Sequence, residues 1–108
     1  MSETSSVTKP IQDALKEAGY FVMRLNSGLV KMGGRRIRLC PEGTADLLLC
    51  PPHQPPIWIE TKVEGNRTKP QRIAKQAEFA YSVETIGHLY VRATCLDDVL
   101  AVLRKESK

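Results

Sequence analysis

No run of this chain is apolar for the ~20 residues that a bilayer-spanning helix needs, so no membrane partner is expected. The opening MSETSSVTKP lacks the charged-then-apolar pattern of a secretory leader, and a cytosolic protein is the expectation. Cysteine is scarce. Cys40, Cys50 and Cys95 are odd in number and widely spaced, which excludes a disulfide framework and a cysteine-based zinc site. Cys40 and Cys50 lie in apolar surroundings and read as buried thiols. His53 and His88 are isolated, so no His/Cys cluster competes for zinc. Internal repeats and low-complexity segments are absent. The Asn66-Arg67-Thr68 sequon is a coincidence in a cytosolic chain.

What is present suits one compact domain, residues 1–108. At 42% hydrophobic and 26% charged, the chain can bury a modest core and does not read as disordered. Net charge is +4, from 16 Lys and Arg against 12 Asp and Glu. Its distribution is more telling. Lys31, Arg35, Arg36 and Arg38 form one cluster, and Arg67, Lys69, Arg72 and Lys75 form another. Two such clusters can meet a phosphate backbone, although two solvated faces would read the same way.

Val7, Ile11, Leu15 and Ala18 recur at helical steps, so residues 6–18 read as an amphipathic helix. Ser5 or Ser6 can cap it, Pro10 can lie in its first turn and Gly19 can end it. YFVMRL reads as a strand, followed by LVKM, Gly33-Gly34 and RRIRLC as a hairpin or ribbon with a basic tip. TADLLLC and IWIETK are the next strands, stopped and joined by PPHQPP. Thr68 and Gln71 have capping-box spacing, placing a helix from about residue 69 to Ile86 with Pro70 in its first turn. HLYVRA is a strand, and Thr94 or Asp97 starts a last helix. Helix, three or more strands, helix, strand, helix is the pattern of a mixed sheet with helices packed against it.

One stretch carries charge where core strands rarely do: GTADLLLCPPHQPPIWIETK, residues 43–62. Asp46 and Glu60 are equidistant from residue 53, so the simplest antiparallel register sets them opposite each other. Opposed residues share a face with Cβ atoms ~4.5–5.5 Å apart. Alternation brings Lys62 to that face as well. Two facing carboxylates repel unless one takes up a proton or a cation intervenes. A hard divalent ion accepts one or two carboxylates, a backbone carbonyl, waters and substrate phosphate oxygens. The plainer reading is a surface salt bridge between Lys62 and a carboxylate.

GTAD, a short hairpin and the Glu-x-Lys of ETK resemble the PD-(D/E)xK nuclease superfamily, and within it the VRR-NUC family of small stand-alone phage or bacterial type. The likeness runs over nearly the whole chain: the first helix, NSG after the first strand, GTAD, ETK, a Gln after a short loop, and GHLYVRA before a final helix. Ala45 stands where the superfamily name has proline, and this departure touches no ligand. The resemblance implies an α/β (α+β) fold with a restriction-endonuclease-like core, a mixed sheet flanked by helices in the order α-β-β-β-α-β-α. It also implies a Mg²⁺-dependent, structure-selective endonuclease acting on branched or Holliday-junction DNA. Mn²⁺ would substitute. A homodimer in the cytoplasm of a bacterial or phage-infected cell follows by analogy.

Carried onto this sequence, the resemblance makes Asp46, Glu60 and the Thr61 carbonyl the metal ligands. Lys62 would orient or deprotonate the attacking water, or steady charge on the phosphate. The family's helix glutamine falls on Gln71, with Gln76 the alternative; five helical residues turn through ~500°, so the two cannot share a face. Glu3 is the candidate for an acidic ligand near the first helix. Lys31, Arg35, Arg36, Arg38, Arg67, Lys69 and Arg72 would hold DNA phosphates, which set position without reading bases. Trp58 shares the face of Glu60, as core near the site or as a pocket wall. The competing functions are a catalytically silent nucleic-acid-binding module of the same fold and a nuclease directed at RNA.

Overall fold

The computed structural model describes residues 5–25, 29–38, 40–63, 65 and 69–106. In chain order the elements are α1 (Ser5–Glu17), β1 (Phe21–Arg24), β2 (Leu29–Met32), β3 (Arg35–Arg38), β4 (Leu47–Cys50), β5 (Ile57–Thr61), α2 (Pro70–Thr85), β6 (Leu89–Ala93) and α3 (Leu96–Glu106). Four strands form the main sheet in the order β1-β4-β5-β6. The pairs β1–β4 and β4–β5 are antiparallel, while β5 and β6 run parallel. A parallel neighbour needs a crossover, and α2 supplies it. Leaving aside β2 and β3, which pair only with each other, the order is α-β-β-β-α-β-α.

Alternation sorts the sheet into two faces. Val22, Leu47, Leu49, Ile57, Ile59 and Ala93 point to one of them, where they meet Ile11 and Leu15 of α1 and Val99 and Leu103 of α3. All of these are buried, and each large one contributes about 1.5–3 kcal/mol on leaving water. The other face carries Trp58, Glu60, Tyr90 and Arg92, paired across β5 and β6 as Trp58 with Tyr90 and Glu60 with Arg92. α2 packs on that side, setting Phe79 against both Trp58 and Tyr90.

Several expected boundaries move. Helix α1 already includes Ser5, so neither Ser5 nor Ser6 caps it, and Pro10 lies in its second turn. The apolar stripe at Ile11 and Leu15 and the buried Thr8 hold this stretch on the sheet, and packing outweighs one lost backbone bond. Strand β4 starts at Leu47, because Thr44 turns back on itself: its N–H and hydroxyl both reach the Pro41 carbonyl, at 3.2 and 2.6 Å. Helix α2 opens at Pro70 with Lys69 as N-cap and no side-chain cap; Thr68 lies outside the described residues. Helix α3 is held at its start by Asp98, whose carboxylate accepts from the Thr94 N–H at 3.0 Å and hydroxyl at 3.3 Å. The Thr94 and Cys95 N–H groups keep that carboxyl below its ordinary range. Cys40 and Cys50 are half-buried, less enclosed than expected.

Among the described residues, no helix is long and apolar enough to cross a membrane.

Candidate functional site

The antiparallel β4–β5 register pairs Leu47 with Ile59, Leu48 with Trp58 and Leu49 with Ile57. One step further, at the open end of this hairpin, Asp46 meets Glu60. Asp46 is fixed on every side. Its N–H donates to the Ile59 carbonyl at 3.0 Å, and its carbonyl accepts from the Leu25 N–H at 2.8 Å. Its Oδ2 accepts from the Thr61 N–H at 2.9 Å and the Thr61 hydroxyl at 2.8 Å. Thr61 thereby commits its only hydroxyl proton, so in its 2.5 Å contact with the buried Thr8 hydroxyl, Thr8 is the donor. A chain of hydrogen bonds runs from α1 through Thr61 to the Asp46 carboxylate.

Glu60 is only 5% exposed. Burial, then the Asp46 charge and a hydrogen bond to Asp46, push its carboxyl up to about 9; Arg72 and Arg92 pull it back. Its Oε1 is buried without a hydrogen-bond partner. Two carboxyl groups are thus pressed together with one oxygen left unsatisfied, an arrangement that costs stability unless a proton or a cation resolves it.

Gly43, the first residue of GTAD, docks α2 beside this pair. Its φ is +92°, and a Cβ there would lie 2.4 Å from the Lys75 carbonyl oxygen and 2.6 Å from its carbon. Only a residue without a side chain lets the two backbones come that close. The next residue on α2, Gln76, is 7% exposed, and its Oε1 also lacks a partner. Arg72, Gln76, Phe79 and Val83 share one stripe of α2, the stripe that lies over β5 and β6. Gln71, the glutamine favoured from the sequence, is exposed in the first turn. The sequence spacing could not choose between the two, because the contact at Gly43 sets the rotation of the helix.

Trp58 is half-buried and forms one wall. It meets Phe79 edge-on at 5.1 Å and 80°, and its Nε1–H donates to His88 Nδ1 at 2.9 Å, with the His88 ring stacked at 6.2 Å. His88 is accordingly structural. Tyr90 adds a buried, unpartnered hydroxyl, pushed up to about 12 by burial and the Glu60 charge.

The remaining expected residues are distributed as follows. Lys62 is half-buried just past β5, its N–H donating to the Ala93 carbonyl at 2.9 Å. Lys31, Arg35 and Arg36 are exposed on the β2–β3 ribbon, Arg38 belongs to β3, and Lys69 and Arg72 are exposed where α2 begins. Glu3 and Arg67 lie outside the described residues. Nothing in the sequence marks Arg92, Tyr90 or Thr8 as site residues, and Gly43 is marked there only as the first residue of GTAD. Tyr90 and Arg92 are two apart and so share a face, but only the pairing of β6 with β5 brings that face to Glu60.

Among the described residues, no three His, Cys, Asp or Glu side chains gather where they could hold a metal. The two carboxylates nevertheless fit a hard cation: they supply oxygen donors, they face each other, and one oxygen is buried with nothing to bond.

A solved structure of a VRR_NUC domain superimposes on this chain with a TM-score of 0.58, covering 96% of this chain and 97% of that one at 17% identity. The fold is that of a VRR_NUC domain. No family model matches the sequence, and no curated protein does. On this VRR_NUC fold, GTAD and ETK occupy the two sides of one hairpin mouth, and KPQ, residues 69–71, opens the helix laid across it.

Proposed function

We propose that this chain is a divalent-metal-dependent endonuclease that hydrolyses phosphodiester bonds in branched DNA, Holliday junctions included. The observation that carries the reading is the buried Glu60 carboxyl facing Asp46 with its Oε1 unpartnered. The VRR_NUC fold supports it.

Asp46 has Oδ2 committed to Thr61, which leaves Oδ1 to offer a cation. Glu60 offers Oε1. In extended backbone the N–H and C=O of one residue point the same way, so the Thr61 carbonyl is directed toward Asp46 and is the third oxygen proposed. Mg²⁺, or Mn²⁺ in its place, would supply an acidified water and polarise the phosphoryl oxygen. Gln76 Oε1 accepts a hydrogen bond from the attacking water and orients it. Lys62 takes the other proton of that water or steadies charge on the phosphate, and Arg72 and Arg92 offset the negative charge that grows there. Phe21 and Met23 on the edge strand β1 remain 61% and 42% exposed, and a second copy of the chain is the partner proposed for them.

The test is cleavage of a labelled four-way junction, flap, duplex and single strand in Mg²⁺, Mn²⁺ and chelator. Cutting with either metal, none in chelator, and preference for the branched substrates is expected. The absence of a third ligand side chain among the described residues favours a second reading, a catalytically silent nucleic-acid binder. Junction binding without cleavage in either metal would select it.

A further inference from the structure

The β2–β3 ribbon takes no part in the main sheet. Gly33 and Gly34, with φ of +58° and +79°, close it as a two-residue turn whose twist matches that of the strands. Every residue from Lys31 to Ile37 is exposed. Register sets Lys31 opposite Arg36 and Met32 opposite Arg35. Cations therefore stand on both faces: Lys31 and Arg36 on one, Arg35 on the other. Like charges directly opposed across a ribbon destabilise it, so Lys31 and Arg36 cost stability until an anion lies between or beside them. No Asp or Glu occurs between Glu17 and Glu42 to balance them.

A flat anionic surface, such as a lipid headgroup layer or an acidic protein, would meet the Lys31 and Arg36 face and leave Arg35 on the other face with no anion. A groove has phosphates along both walls. Strands ~4.8 Å apart fit the B-DNA major groove, about 12 Å wide, which admits a two-stranded ribbon. The corresponding groove of A-form RNA is too deep and narrow for side chains to enter.

From this we infer that the β2–β3 ribbon lies in the major groove of B-form DNA, with Lys31 and Arg36 on one phosphate wall and Arg35 on the other, and that it makes the chain select DNA duplex arms over RNA duplexes. The inference rests on the proposed function only for the partner being nucleic acid. Its placement suits the chemistry: the chain enters the ribbon just after Leu25, whose N–H is bonded to the Asp46 carbonyl at 2.8 Å, and returns through GTAD. A groove held by the ribbon brings the adjoining backbone to Asp46 and Glu60.

Fluorescence anisotropy of the full chain in chelator, with a DNA duplex, an RNA duplex of the same sequence and the DNA single strand, tests this without any cutting. The DNA duplex should bind about tenfold tighter than the RNA duplex. Changing Lys31→Ala and Arg36→Ala together should remove that preference and reduce the slope of log K against log salt for duplex DNA by roughly 2. Equal affinity of the wild-type chain for the two duplexes would overturn the inference, as would a variant weakened equally on all three probes. Thermal melting checks that the variant is folded; if it is not, the wild-type comparison decides alone. A chain that prefers DNA duplex here yet never cuts with Mg²⁺ or Mn²⁺ refutes the nuclease reading and leaves the ribbon's role standing.

Discussion

Gly43 and Lys75 meet backbone against backbone, so closely that a methyl group on Gly43 would stand 2.4 Å from the Lys75 carbonyl oxygen. That contact fixes which side of α2 faces the Asp46–Glu60 pair. Gly43→Ala has to relieve both the clash and a left-handed backbone, at about 2–4 kcal/mol. The melting temperature should fall by about 10 °C or more. An unchanged melting curve would mean that α2 is not seated on GTAD as described.

Gln76→Ala should lower the cleavage rate by about ten- to a hundredfold, the usual loss on removing a group that orients a metal-site partner. KM should change little, and Gln71→Ala should behave as wild type. Rates reversed between these two variants would return the role to Gln71.

Thr61→Val keeps the N–H bond to Asp46 but removes the hydroxyl that links Asp46 to Thr8. The buried Thr8 hydroxyl is then stranded, at about 1–3 kcal/mol. Thr8→Val combined with Thr61→Val should cost less than the sum of the single changes, because neither hydroxyl is left alone. Urea unfolding of the four proteins measures this, and strict additivity would break the proposed chain of hydrogen bonds.

Glu60 makes the metal-free protein sensitive to pH. Its carboxyl stands at about 9 in the folded chain against an ordinary value of 4.5. Below the lower value folded and unfolded chains both hold the proton. Between the two values only the folded chain holds it, so stability falls as pH rises, by at most about 1.4 kcal/mol per pH unit. The contribution is gone above the upper value. Urea midpoints in chelator should therefore decline from pH 5 to pH 9, and Glu60→Gln should flatten that decline. A midpoint independent of pH in the wild-type protein would contradict the burial of this acid.

The sequence made some of this legible for definite reasons. PPHQPP confines the connection between β4 and β5, so symmetry about residue 53 brings Asp46 and Glu60 to the same end of the hairpin, where their carboxyl groups interact; the paired ladder itself stops at Leu47 and Ile59, and the Asp46 N–H bonds the Ile59 carbonyl. Gly33-Gly34 marked the turn of the ribbon just as directly. Other features depended on contacts between distant residues. Whether Gln71 or Gln76 turns inward is a question of helix phase, answered by Gly43 more than 25 positions earlier. Arg92 reaches Glu60 only because β6 chose β5 as its parallel neighbour. The N-terminus of α1 departs from its local cues, a serine and a proline, because the sheet on which Thr8 and Ile11 are buried holds that stretch helical.

Calorimetric titration of the folded, metal-free protein with Mn²⁺ goes most directly to the claim that Asp46 and Glu60 together hold a cation. One ion should bind per chain, with release of close to one proton as Glu60 ionises, and the heat should vanish in Asp46→Asn. A folded protein that takes up no Mn²⁺, or takes it up equally well after Asp46→Asn, would contradict the account.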